Sequence, residues 1–157
     1  MDAAGPAFLR DPVLRLLLFG GKGGVGKTTC ATATALTLAH RWPESPYLLV
    51  STDPAHSLGD AVAGSALPPN LALVELDAKD RLAAFRSAHG GTLKDIAARG
   101  TFLDGDDISQ LLDLSLPGLD ELVAFLDVFR WIEEDRYACV VVDTAPWGHT
   151  LRLLEMP

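Results

Sequence analysis

The chain alternates short apolar runs with longer stretches that have a helical pattern. Each apolar run has the length of a strand and is closed or followed by Gly, Ser or Asp. The runs are Val13–Phe19, Tyr47–Ser51, Leu71–Leu76 and Tyr137–Val142. Strands of a parallel sheet that is covered on both faces are nearly continuous apolar runs of this kind. The pattern therefore predicts an α/β fold, with a mostly parallel sheet flanked by helices.

The stretches between these runs carry the helical signals. Lys27–Arg41 contains neither Gly nor Pro and stops shortly before Pro43, as a helix of this length should. Two further helices are predicted at Ala78–His89 and Ile108–Leu114. After Leu119 the apolar residues recur every three or four positions, which places them on one face of a helix. These residues are Leu122, Val123, Leu126, Phe129 and Ile132.

Length and charge limit the classes of function. The 157 residues suffice for one domain, with a loose N-terminus over about residues 1–12. A net charge of −8 argues against nucleic acid as a partner, since binding phosphates requires clustered Lys and Arg. No apolar stretch approaches the roughly 20 residues of a spanning helix, so direct membrane insertion is not expected. Cys30 and Cys139 form no C-x-x-C pair, which favours a reducing, cytoplasmic location.

A glycine-rich loop follows the first predicted strand and precedes the first predicted helix. Residues 21–28 read G-K-G-G-V-G-K-T, which satisfies the phosphate-binding pattern G-x-x-x-x-G-K-[ST]. Glycines let the backbone approach phosphate oxygens closely, and the helix N-terminus adds partial positive charge. Lys27 is placed to reach the β- and γ-phosphates, and Thr28 to bind Mg²⁺. The loop therefore predicts a P-loop NTPase with ATP and Mg²⁺ as its ligands.

Two aspartates follow predicted strands at the edge where open α/β sheets bind ligands. Asp53 comes directly after the second run, which we expect to lie next to the P-loop strand. It suits a residue that orients, or accepts a proton from, a water that attacks the γ-phosphate. It equally suits a helix N-cap before Pro54. Asp143 closes the fourth run, as the acid of a Walker B strand does, and predicts an Mg²⁺ contact, either direct or through water.

The second lysine of the loop, Lys22, extends the string to K-G-G-V-G-K-T-T. This string resembles the deviant Walker A motif of dimeric ATPases such as ParA, MinD and the nitrogenase iron protein. Three further strings are S-T-D-P-A-H-S-L from Ser51, P-G-L-D-E-L from Pro117 and D-T-A-P-W-G-H-T-L-R-L-L from Asp143. Together the four resemble the arsenite-transporting ATPase family, which includes the eukaryotic ATPase that delivers tail-anchored membrane proteins.

The resemblance implies hydrolysis of ATP coupled to a dimeric nucleotide switch. Asp53 would be the catalytic aspartate of the first switch loop, Lys22 would contact the nucleotide of the partner subunit, and residues 143–150 would form the second switch. Thr28 and Asp143 would contact Mg²⁺. The nucleotide contacts would be Lys22, Gly23, Gly24, Val25, Gly26, Lys27, Thr28 and Thr29. The partners implied are a second copy or a related chain, and a membrane transporter or a hydrophobic client.

The chain departs from the family pattern in two places. Trp147 stands where the second switch usually has Thr, and the sequence stops at Pro157 although the family continues for about as long again. We therefore expect the N-terminal portion of a P-loop domain, with the C-terminal part of the fold missing. One alternative is a non-hydrolysing nucleotide-binding fragment that pairs with another chain. A ParA- or MinD-like positioning ATPase is disfavoured by the negative charge.

Lone cysteines and histidines gave weaker signals. Cys30 and Cys139 match no metalloid-binding position of the family, so both are predicted to be small core residues rather than metal ligands. His56 and His149 fall within the two switch segments, where a structural hydrogen-bonding role is favoured over a ligand role.

Overall fold

The computed structural model describes residues 6, 9, 13–53, 58–64, 66–100 and 119–144. Strands and helices alternate along the chain. The strands are β1 (Leu16–Phe19), β2 (Tyr47–Ser51), β3 (Leu71–Glu75) and β4 (Cys139–Asp143). The helices are α1 (Lys27–Arg41), α2 (Leu58–Ala61), α3 (Ala78–Gly100) and α4 (Leu119–Glu133). None of these helices is long and apolar enough to cross a bilayer.

The described strands form one parallel sheet in the order β1-β4-β2-β3. Because all strands run the same way, their carboxyl ends meet at one edge. There Asp143 pairs with Phe19 on one side and with Ser51 on the other, and Ser51 also pairs with Glu75. The predicted α/β fold with a parallel sheet flanked by helices is confirmed. The carboxyl ends of its four described strands meet at one edge, and two of these strands, β3 and β4, end in an acidic residue.

Helices cover both faces of the sheet. Alternate residues of β2 and β4 point to opposite faces, so the central strands are buried on both sides. One core cluster includes Ala31, Ala35, Leu38, Leu49 and Val141, with Leu9 of the N-terminal segment also buried in it. The other includes Leu48, Ala124, Val128, Val140 and Val142. The first cluster fixes α1 against the sheet, and with it the loop that precedes α1.

Several predicted boundaries were wrong. The fourth strand is Cys139–Asp143 rather than 137–142, and the third ends at Glu75 rather than at Leu76. The first strand begins at Leu16, not at Val13, because its only described partner is the five-residue β4, whose ladder starts at Leu16 and Val140. Val13 is 77% exposed and lies before the sheet. The helix predicted to end at His89 continues to Gly100, through the pair Gly90–Gly91. Glycine weakens a helix by about 1 kcal/mol per residue without forbidding it. The helix predicted at 108–114 lies outside the described residues.

Asn70 holds the end of α1 close to the start of β3. Its side-chain nitrogen lies 3.1 Å from the carbonyl oxygen of Ala39, 3.1 Å from that of Trp42 and 2.8 Å from that of Ser45. The last carbonyls of a helix have no partner within the helix, and this amide supplies one. Asn70 therefore links the end of α1 and the α1–β2 loop to the start of β3.

We expect Asn70→Ala to lower the free energy of unfolding by about 1–3 kcal/mol, because partly buried carbonyls lose their donor. Urea unfolding followed by circular dichroism measures the change, and the m-value should stay constant. Thr37→Ala is the matched control, since Thr37 is exposed on α1 and its hydroxyl bonds only to the Ala33 carbonyl oxygen, at 2.7 Å. Equal stability of the two variants would contradict the role given to Asn70.

Candidate functional site

The phosphate-binding loop connects β1 to α1 and has the backbone that its glycines predict. Gly24 and Gly26 have φ values of 76° and 87°, in the left-handed region that non-glycine residues rarely adopt. Gly26 is also the N-cap residue of α1, and no side chain caps the helix there. The first N–H groups of α1 thus face the loop without a side-chain acceptor, which is the arrangement that binds phosphate.

The two lysines of the loop differ in their surroundings. Lys27 is 7% exposed, and its Nζ donates to the backbone carbonyl of Lys22 at 3.5 Å, so the ammonium folds back over the loop. The Lys22 side chain is exposed. One positive charge therefore lies within the loop of this chain, and the other is directed towards solvent.

Thr28 and Asp143 meet across the sheet edge. Thr28 Oγ1 donates to Asp143 Oδ2 at 2.6 Å, a short bond of the kind that a charged acceptor makes. The Asp143 side chain is fully buried at the end of β4, where the covered faces of the sheet exclude water. The bond places the first turn of α1 against the acid predicted to contact Mg²⁺.

Asp53 lies beside this pair and is 5% exposed. Its backbone N–H donates to Ser51 Oγ at 3.2 Å, and the neighbouring Thr52 N–H donates to the Asp143 carbonyl oxygen at 3.0 Å. The next described helix, α2, covers Leu58–Ala61, and residues 54–57 before it lie outside the described residues. Both predicted roles of Asp53, at the ligand edge and as a helix N-cap, therefore stay predictions.

Thr144 ties the end of β4 back to β1. Its backbone N–H and its Oγ1 both donate to the Phe19 carbonyl oxygen, at 3.1 and 3.0 Å. Phe19 is the last residue of β1, directly before the glycine-rich loop. The strand that carries Asp143 and the strand that leads into the loop are therefore fastened to each other at the ligand edge.

Sequence reasoning included Ser51 and Thr144 only as members of the two switch strings, and it did not single out Glu75 at all. Each is a polar residue at the end of an apolar strand or directly after it, and that position was the available signal. The segments 54–57 and 145–150, which contain His56, Trp147 and His149, lie outside the described residues.

The donor set of the edge fits Mg²⁺. This hard cation takes oxygen ligands, keeps several waters, and is usually held by one or two protein groups together with substrate phosphates. The Thr28 hydroxyl and the Asp143 carboxylate are such groups, and the loop beside them is shaped for phosphate. Within the described ranges no cluster of three or more His, Cys, Asp or Glu side chains could hold a metal ion. The fit to Mg²⁺ rests on a hydroxyl, a carboxylate and phosphate oxygens.

The cysteines do not converge on a site. Cys139 is buried in β4, as predicted, and burial raises the pKa of its thiol to about 11, although Arg15 acts in the opposite direction. A protonated thiol is a poor ligand, since metals bind the thiolate. The prediction that Cys30 is a core residue was wrong, because Cys30 is exposed on α1. The buried residues of α1 are Lys27, Ala31, Thr32, Ala35, Leu38 and Ala39.

Comparison with known proteins agrees with this geometry. Residues 14–157 match a family model described as anion-transporting ATPase. The chain is 39% identical to "ATPase GET3" of Kluyveromyces lactis, over 91% of this chain and 45% of that protein. It is 37% identical to "ATPase ASNA1 homolog" of Entamoeba dispar, over 95% of this chain and 48% of that protein. The chain spans about half the length of these curated relatives.

Proposed function

The chain belongs to the anion-transporting ATPase family, and from that premise we propose that it binds ATP and hydrolyses it to ADP and phosphate. The observation that carries the proposal is the 2.6 Å bond between Thr28 and Asp143. It joins the phosphate-binding loop to the buried acid of β4, next to Lys27 and Asp53. These are the parts that phosphoryl transfer needs, since its catalysis depends mainly on positioning and electrostatic stabilisation.

Each residue has one task in this mechanism. The loop N–H groups and Lys27 hold the β- and γ-phosphates and stabilise the charge that develops on them. Asp53 orients the attacking water and accepts its proton. Thr28 and Asp143 would hold Mg²⁺, which would neutralise phosphate charge when bound. Burial of Asp53 and Asp143 keeps both carboxylates in fixed positions, which lowers the cost of reorganisation during the reaction.

We further propose that the working form is a dimer and that Lys22 reaches the nucleotide of the partner subunit. The exposure of Lys22 supports this role, because its backbone carbonyl accepts the Lys27 ammonium while its own side chain is open to solvent. Binding of ATP would then couple the two copies, and hydrolysis would release them.

We also propose a cytoplasmic location and an apolar partner, such as a membrane transporter or the hydrophobic segment of a client protein. Leu122, Leu126 and Phe129 lie three or four positions apart on α4 and are 39%, 43% and 44% exposed. An apolar stripe of this kind on a helix surface suits a hydrophobic partner. Binding and release of such a partner would then be coupled to whether ATP or ADP is bound.

Phosphate release from Mg²⁺-ATP tests the activity. We expect release by the wild-type chain only with Mg²⁺, and Thr28→Val to require about 10–100-fold more Mg²⁺ for half-maximal rate, because the variant lacks the hydroxyl. Thr28→Ser keeps the hydroxyl and should stay close to wild type. Thr37→Val, on the exposed side of α1, is the control for β-branched apolar substitution. Release by Thr28→Val with unchanged Mg²⁺ dependence would remove Thr28 and Asp143 from the proposed site.

A further inference from the structure

Glu75 makes a contact that the mechanism above does not use. It is the last residue of β3, beside Ser51 in the sheet, and its Oε1 accepts a hydrogen bond from the Leu58 backbone N–H at 2.7 Å. The Leu76 N–H next to it donates to the Ser51 carbonyl oxygen at 2.8 Å. The carboxylate therefore extends from a firmly paired strand end to the first residue of α2.

Leu58 marks the point where the chain returns to the core after Asp53. Its side chain is 1% exposed and belongs to the cluster that packs under α1. Only residues 54–57 separate it from Asp53. At the other end of this connection the Asp53 N–H is held by Ser51 Oγ at 3.2 Å. Both ends of the connection are thus fixed by side chains of neighbouring residues in the β2–β3 pair.

We propose that Glu75 is a positioning residue for Asp53. By holding the Leu58 amide, it fixes the far end of the connection that begins at Asp53, and so restricts the positions available to the Asp53 carboxylate. The inference rests on the proposed ATPase function for its effect on rate, whereas the contact itself can be measured without nucleotide.

The length of the Glu75 side chain decides whether its carboxylate holds the Leu58 amide. A charged acceptor makes a stronger bond to an N–H group than a neutral one, and losing it leaves the amide of Leu58 to find another partner. Because only four residues separate Leu58 from Asp53 in the sequence, we expect a displacement of Leu58 to affect the position of Asp53. Misplacement of a catalytic group by a fraction of a bond length is sufficient to lower a rate severalfold or more. ATP binding depends on the loop before α1 and should be unaffected.

Three variants separate the effect of the length of the Glu75 side chain from the effect of its charge. Glu75→Ala removes the acceptor, Glu75→Asp keeps the charge but is one methylene too short, and Glu75→Gln keeps an acceptor oxygen at the same distance without the charge. We expect kcat to fall about tenfold in the Ala and Asp variants and to stay within about twofold in the Gln variant. The dissociation constant for ATP should not change. Glu44→Ala is the control, since Glu44 is an exposed turn residue.

Hydrogen exchange at the Leu58 amide provides the readout that needs no activity. Exchange in the nucleotide-free chain should be about tenfold faster in Glu75→Ala than in wild type or Glu75→Gln, with the Leu38 amide of α1 unchanged. Unchanged exchange at Leu58 would overturn the proposal, and so would a Gln variant as slow in hydrolysis as the Ala variant. If no variant and no wild-type protein released phosphate while exchange responded as expected, the proposed ATPase activity would fail and the contact would stand.

Discussion

Asp53→Asn is expected to bind Mg²⁺-ATP with wild-type affinity and to hydrolyse it about 10²–10⁴-fold more slowly. The amide has the shape of the carboxylate and can still accept a hydrogen bond from water, but it cannot take up the proton. The side chain is nearly buried, and its backbone N–H is held by Ser51 Oγ, so the substituted group should stay in place. The loss should therefore lie in kcat and leave binding intact.

Single-turnover phosphate release and calorimetry measure the two quantities separately. Asp60→Asn is the matched control, because Asp60 is an exposed aspartate in the nearby helix α2. If the proposed dimer forms with bound ATP, light scattering should show a longer-lived dimer in Asp53→Asn than in wild type. A variant that retained more than about a tenth of the wild-type rate would exclude Asp53 as the residue that activates water.

Lys27→Ala is expected to weaken ATP binding about 10–100-fold. A hydrogen bond to a charged group contributes about 1.5–3 kcal/mol, and each 1.4 kcal/mol changes the dissociation constant about tenfold. The Lys27 ammonium is largely shielded from solvent and folded over the loop, so water cannot replace it well. Hydrolysis at saturating ATP should fall as well, because the same charge stabilises the transferred phosphate.

Calorimetry with Mg²⁺-ATP gives the affinity, and Lys94→Ala is the control, since Lys94 is exposed on α3 far along the sequence from the loop. Lys22→Ala offers a second comparison. It should leave the affinity of a single chain nearly unchanged if its ammonium acts only across a dimer. Equal affinities of Lys27→Ala and Lys94→Ala would mean that the glycine-rich loop does not bind nucleotide phosphates in the way proposed.

The sequence is most informative about the site where a residue type at a given motif position has a single established role. Gly24 and Gly26 adopt left-handed conformations, which the loop pattern requires. The sequence predicts that Thr28 and Asp143 contact the same Mg²⁺, because one is a hydroxyl after the loop lysine and the other an acid after a buried strand; in the structure the two side chains are hydrogen-bonded. The edge of the sheet brings such residues together whatever the detailed packing.

The order of the strands and the side-chain bonds to backbone groups depend on tertiary packing, which the apolar runs do not specify. The runs identify strands but not their order. The expectation that β2 lies next to β1 was wrong, because β4 lies between them. The side chains of Asn70 and Glu75 bond to backbone groups. Every residue has such groups, so residue types do not indicate which of them a side chain will contact. The exposure of Cys30 could have been found, since it lies off the stripe that contains Ala31, Ala35 and Leu38.

The strand order also governs when the site can assemble. Thr28 and Asp143 are 115 positions apart, and the Thr144 bond to Phe19 spans 125. Contacts between such distant positions form slowly, because the entropy of closing a long loop is lost before the contact stabilises anything. During synthesis from the N-terminus, the glycine-rich loop leaves the ribosome long before β4 exists. The sheet can pair β2 with β3 early, but β1 gains its described partner only when β4 inserts. Nucleotide binding should therefore be acquired late in folding, in the step that completes the centre of the sheet.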